Sequence, residues 1–308
     1  DYELYPDDDN GNVLWQMASF LVSALLVAAT AAFHLLKGRR DALVKKSFSM
    51  AMWMILALAP LQMFVGDLHG LNTLEHQPAK LAAMEGHWET NKDHGMPLYL
   101  FGIPDMEAEE TNYAIGIPNL GSLIMTHTLD GEVKGLKEFA PEDRPNSLVV
   151  FWSFRIMVGL GVLMILMAVL GAWLRKTDKF YDSVWLHRFA LYMGPSGFIA
   201  LLAGWFTTEV GRQPWVVYGV LRTKDALSPV SAEQVGLTLI IFVMVYFIVF
   251  GVGIFYMLKL MRKGPEFIHS APHSEQAVIQ ASKRPLSTID EENDLDQVSS
   301  KQSQENQK

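Results

Sequence analysis

No cysteine occurs among the 308 residues. That absence excludes a disulfide scaffold and any metal or haem held by thiolate. Charge is also scarce, at 19% of residues against ~25% in an ordinary soluble domain. Positive charge is the scarcer sign, with 25 Lys and Arg against 33 Asp and Glu and a net charge of −8. An acidic total argues against nucleic acid as a partner. The opening DYELYPDDDN lacks the basic flank, short apolar stretch and small-residue site of a secretory signal. Asp1 is therefore expected to be a processed end or the edge of a fragment. No internal repeat is visible.

What is abundant is apolar residues, 50% of the chain, and they gather in long runs. A helix needs ~20 apolar residues to cross a bilayer core. Five runs meet or approach that length: Val13 to Leu36, Phe48 to Val65 with Pro60 inside it, Leu148 to Leu174, Phe189 to Phe206 with His187 and Arg188 at its mouth, and Val235 to Leu258. The short junctions after the first, third and fifth are basic, with Lys37, Arg39, Arg40, Lys45 and Lys46, then Arg175, Lys176 and Lys179, then Lys259, Arg262 and Lys263. The positive-inside rule places these in the cytoplasm. The expected fold is an all-α integral membrane protein of five transmembrane helices with a folded external loop.

The expected organisation follows from those runs. Residues 1–12 are an acidic external N-terminus, 13–66 the first two spans, and 67–147 an external segment. Residues 148–206 hold two more spans, 207–234 a second external loop, 235–258 the fifth span, and 259–308 a cytoplasmic tail. From about Gly264 the tail is polar and too poor in apolar residues to order itself. The external segment keeps Trp88, Tyr99, Phe101, Tyr113 and several isoleucines, so it reads as a small folded cap. Within it QPAKLAAMEGHWE predicts a short helix with Pro78 in its first turn and Leu81, Met84 and Trp88 on one face.

Four features invite chemistry. Arg155 lies about two turns inside the third span, where a charge is costly unless paired or hydrated; snorkelling is the plain alternative, and otherwise it needs an anionic partner in the bundle. Met157 is two residues on, so the two side chains leave the helix on nearly opposite sides. With 16 Met in the chain, a core filler is the ordinary reading of Met157. Trp205, Glu209 and Arg212 share one helical face until Gly211 and Pro214 end it; the bland reading is an interfacial ion pair, the sharper one a metal ligand or proton relay. Lys80 and Glu85, five apart on the external helix, read as a solvated face. The nine histidines show no metal-ligand spacing, and His34 and His187, the two near spans, read as satisfied interface residues.

Several segments together resemble subunit I of the cytochrome bd quinol oxidases. They are LKGRRDALVKKSF, Gly66–Asp67, QPAKLAAMEGHWET, LFGIPD with EETNYAIGIP, GLKEF, FWSFRIMVGLG and GWFTTEVGRQPWVVYGVLRT, in the family's order from about Leu36 to Thr223. KLAAMEGHWE and GRQPW are the most specific. The resemblance implies the last five of nine spans, with a short external quinol loop. It implies quinol oxidation on the outer face of a bacterial or archaeal plasma membrane, and electrons passed through two haems b to a haem d, or a b-type replacement, that reduces oxygen to water. By the same resemblance Lys80 and Glu85 serve quinol oxidation. Met157 ligates the low-spin haem b and Glu209 the high-spin haem b. Arg155 attends the low-spin haem, and Trp205 and Arg212 neighbour Glu209. The implied partners are membrane lipid, quinol, subunit II and the N-terminal half of the same subunit.

The sequence departs from the family near Leu14, where the second axial histidine of the low-spin haem is expected; no histidine occurs from Asp1 to Phe33. The chain is therefore expected to be a fragment of the subunit. Two other readings stand beside the oxidase: a transporter-like fragment with Arg155 and Glu209 on an ion path, and a haem-free structural or assembly fragment.

Overall fold

The computed structural model describes residues 9–91, 95–226 and 230–263. The acidic first residues and the tail from 264, together with His94, His269 and His273, lie outside them. Five helical segments are long and apolar enough to cross a membrane: Val13–Leu36, Ala42–His76, Pro141–Lys176, Val184–Arg212 and Ala232–Lys263.

Helix α1 spans Asp9–Leu36 and α2 spans Ala42–His76. The helix is longer than the apolar run from Phe48 to Val65 expected as the second span, because α2 runs through Pro60 and on past Asp67. Proline removes one backbone donor, a loss that membrane helices absorb without ending. At 35 residues the helix is ~52 Å long, well beyond a ~30 Å hydrocarbon core. The chain turns at Gln77, whose N–H donates to Thr73 O at 2.8 Å, and Pro78 opens the eight-residue helix α3, Pro78–Glu85. Gly86, in the left-handed conformation at φ 69°, ends it. Trp88 is therefore not on the helix: Leu81 packs with Met96, Met125 and Val133, whereas Met84 and Trp88 pack with Leu136 and Val150.

The cap is folded, as expected, and contains an unanticipated antiparallel ribbon. Strands β1 (Leu98–Asp105) and β2 (Glu110–Ile117) pair from Leu98↔Ile117 at the open end to Asp105↔Glu110 at the turn. Helix α4 (Leu120–Thr126) follows. Helix α5 (Ser147–Lys176) is capped by Asn146, whose side-chain oxygen accepts from Val149 N at 3.2 Å. The fourth span is two helices, α6 (Val184–Tyr192) and α7 (Ser196–Arg212). Ser183 caps α6, so His187 and Arg188 lie inside the helix rather than at its mouth. A second small ribbon, β3 (Trp215–Val217) with β4 (Leu221–Arg222), leads towards α8, Ala232–Lys263.

The core lies where α1, α2, α5 and α6 meet. Leu25, Ala28, Phe48, Ile55, Met167 and Leu186 are fully buried there. Small residues on α1 let the helices approach closely, since in lipid packing rather than hydrophobicity drives association. His34 and His187 behave as expected of interface residues, their Nε2 atoms lying 3.0 Å from Met261 O and 3.2 Å from Phe180 O. α8 buries none of its residues against the described bundle.

Candidate functional site

Helix α3 is a wedge between the cap and the membrane helices. Every residue from Ala79 to Glu85 is buried, which overturns the solvated-face reading of Lys80 and Glu85. Five residues at ~100° each place the two side chains ~140° apart, so they address different neighbours.

Glu85 faces α5. Its Oε2 accepts from Arg155 Nη2 at 2.9 Å, with the acid 1% and the guanidinium 12% exposed. Arg155 Nη1 donates to Met84 O at 2.5 Å, and Nε and Nη2 donate to Tyr99 O at 2.9 and 2.7 Å. The Phe151 ring lies 4.0 Å beneath the guanidinium. The partner that Arg155 requires is therefore Glu85, and the arginine has no need to snorkel. Glu85 Oε1 is buried with no hydrogen-bond partner.

Lys80 faces α7. A methyl at Gly211 would stand 3.0 Å from Lys80 Cγ and 3.3 Å from Cε, so glycine makes room for the lysine stem. Burial pushes the Lys80 ammonium down to about 8; Arg212 adds to the shift and Glu209 opposes it. Glu209 and Arg212 form a close ion pair on the last turn of α7, both partly exposed. Trp205, one turn earlier, is half exposed and packs on the neighbouring Phe206 ring.

Met157 points away from Arg155, as the helical spacing requires, into the seam between α5 and α7. A methyl at Gly204 would stand 2.9 Å from Met157 Sδ. One turn along the same seam, Ser153 and Thr207 hydroxyls hydrogen-bond at 2.9 Å within the buried interface.

Two participants escaped the sequence reading. His87 stacks on Tyr99 with ring centroids 4.5 Å apart, and its Nε2 lies 2.8 Å from Pro97 O. Burial lowers its pKa, against the pull of Glu85. Gly86 was the available signal, because a glycine after an apolar helical run marks the helix end and places His87 beyond it. Tyr99 contributes its backbone carbonyl, which no side-chain pattern reveals.

The residues fit the implied haems in part. A thioether at a helix seam is a known haem-iron donor, and a carboxylate is an iron donor in non-haem sites. His34 and His187, towards the basic ends of their helices, lie far along the bundle from Met157. Arg175, at the far end of α5, donates to Ser49 O, and His187 bonds Phe180 O in the same region. Met157 lies 18 residues from Arg175, ~27 Å along the helix. Among the described residues, no cluster of three His, Cys, Asp or Glu suits a bare metal ion.

Residues 12–265 match the family described as cytochrome bd terminal oxidase subunit I. The cytochrome bd ubiquinol oxidase subunit 1 of Bacillus subtilis (strain 168) is 35% identical over 255 residues, covering 79% of this chain and 54% of the relative. The cytochrome bd-II ubiquinol oxidase subunit 1 of Escherichia coli (strain K12) is 28% identical, covering 84% and 63%. The solved bd oxidase from Geobacillus thermodenitrificans superposes with a TM-score of 0.72 at 32% identity, covering 81% of this chain and 56% of that one. The chain thus spans only part of the length of each relative. With a match that runs through every span, the cap and both ends of α3, the chain belongs to the cytochrome bd terminal oxidase subunit I family.

Proposed function

We propose that this chain supplies the quinol-oxidising site and one donor to each of two haems b in a cytochrome bd-type terminal oxidase. The complete assembly would include the N-terminal half of the subunit, subunit II and a haem d or b-type replacement that reduces oxygen to water. The basic junctions favour an orientation with the cap on the outer face of a bacterial or archaeal plasma membrane.

The observation that carries the reading is the half-partnered carboxylate of Glu85, buried where the cap meets α5. A quinol hydroxyl needs a proton acceptor as it is oxidised. Oε1 is free to accept, while Arg155 holds Oε2 and orients the carboxylate. Lys80, on the other face of α3, offers a donor to a quinol oxygen. Arg155 serves by positioning Glu85 and by tying Tyr99 and Met84 to α5. Met157 and Glu209 are the haem donors; Trp205 and Arg212 border Glu209, and Arg212 restrains its carboxylate. A haem when bound supplies one-electron transfer, and thioether ligation raises its potential.

The test is Glu85→Gln in the assembled oxidase. Quinol-dependent oxygen uptake should fall by ~10²-fold or more, with reduced-minus-oxidised haem spectra unchanged. Uptake within a few-fold of the parent would sink the assignment. Met157→Ala and Glu209→Ala should instead each lower haem b content, and unchanged content in both would remove the ligand roles.

A further inference from the structure

The β1–β2 ribbon has a polarity that the quinol chemistry does not use. Its turn carries Asp105, Glu107, Glu109 and Glu110. Towards its open end it exposes large apolar side chains: Leu100 at 55%, Phe101 at 43%, Tyr113 at 80%, Ile115 at 65% and Ile117 at 44%.

Its contacts with α5 set its depth. At the turn, Glu109 pairs with Arg144 at 2.6 Å, just ahead of the helix. Met106 Sδ accepts from Ser147 N, at the first residue of α5, at 3.4 Å. Further along, the Phe101 ring meets Trp152 edge-on with centroids 5.2 Å apart. Nearest the open end, Tyr99 O accepts from Arg155. Each step from the turn towards the open end is a step deeper along α5. Arg155 lies eight residues past Ser147, or ~12 Å. The 30 residues of α5 make ~45 Å of helix, about 15 Å more than the hydrocarbon core. Shared between the two ends, that excess leaves ~7 Å of α5 above the hydrocarbon boundary. Tyr99 then lies at or just below the boundary, and the four acids lie well above it.

The geometry points to the ribbon as a membrane-interface anchor: its open end sits among the lipid head groups and upper acyl carbons beside α5, with the acidic turn in water. Interfacial elements are buried ~5–10 Å in this way, and aromatic residues gather at the same level. Leu148 and Val149, exposed on the first turn of α5, continue the apolar surface into the span. The opposite tilt is excluded by the acidic turn, which anionic head groups would repel. This inference is independent of the quinol assignment.

The cysteine-free sequence makes the test direct. Ile115→Cys, Ile117→Cys and the control Glu107→Cys are each nitroxide-labelled in the full chain in phosphatidylcholine–phosphatidylglycerol nanodiscs, using preparations that retain the parent's thermal midpoint. Collision rates with oxygen, which partitions into lipid, and with a water-soluble nickel chelate are compared. The oxygen-to-nickel ratio at 115 and 117 should exceed that at 107 several-fold. Nickel access at 115 and 117 equal to that at 107 would overturn the anchor by showing a water-facing ribbon. Protection from both reagents would overturn it by showing a protein cover.

Discussion

Arg155 and Glu85 form an ion pair with almost no water around it, and that decides what their removal does. A buried pair adds little net stability, because desolvation offsets attraction, but deleting one partner strands the other at about 3–5 kcal/mol. Glu85→Leu and Arg155→Leu should each lower the thermal midpoint strongly, and the double variant should recover much of the loss. A double variant no better than the sum of the singles would show that the two charges are not coupled. Lys80 gives a prediction of opposite character. Its folded pKa is lowered from 10.5 to about 8, so between those values the unfolded chain binds more protons than the folded one. Stability must therefore rise with pH across that window, by about 3 kcal/mol at most for 2.5 pH units at 1.36 kcal/mol each. Thermal midpoints at pH 7.5 and pH 10 should show this rise, and Lys80→Met should remove it. An equal rise in that variant would assign the effect to another group.

At the scale of elements, α3 shows why the cap holds its site. Gly86 reverses the chain at φ 69°, and a methyl there would meet Phe151 Cδ2 at 2.8 Å. Left-handed backbone costs a residue with a Cβ about 1–2 kcal/mol, and here a ring of the Arg155 platform must also shift. Gly86→Ala should lower the thermal midpoint by at least that amount and reduce quinol oxidation, with haem content retained; an unchanged midpoint would show that the cap tolerates the displacement. This helix also marks the limit of what the sequence makes legible. The five spans are readable because lipid demands long apolar runs, and the end of α7 is readable from Gly211 and Pro214. How far α2 continues beyond its apolar run is less readable, because its last turns, through Asp67 and His69, are polar. Lys80 and Glu85 mislead because charges on an eight-residue helix resemble a wet face. Only the packing of α5 and α7 on its two sides shows both to be buried. Membership of the site through a backbone carbonyl, as at Tyr99, leaves no trace in side-chain pattern at all.

At the scale of the whole molecule, the helices fall into a packed group and a solitary one. α1, α2, α5, α6 and α7 share buried contacts, whereas α8 exposes its apolar residues from Val235 to Leu260 and buries none. Near its end, Met261 O is bonded by the His34 ring, and a single such bond adds only about 0.5–1.5 kcal/mol. In a membrane, lipid covers an apolar helix as well as another helix does, so the stability of the packed group owes little to α8. Cutting the chain at a protease site engineered into residues 227–229 should therefore leave the unfolding of the other helices nearly unchanged. Tryptophan emission reads this cleanly, because all 8 tryptophans lie outside α8. The expected result is a thermal midpoint by tryptophan fluorescence within about 2 °C of the uncut chain, since 1 kcal/mol shifts a chain of 150–250 residues by about 2–4 °C. A fall of ten degrees or more would show that α8 carries part of the core, and would place its packing partners within this bundle rather than in lipid or another subunit.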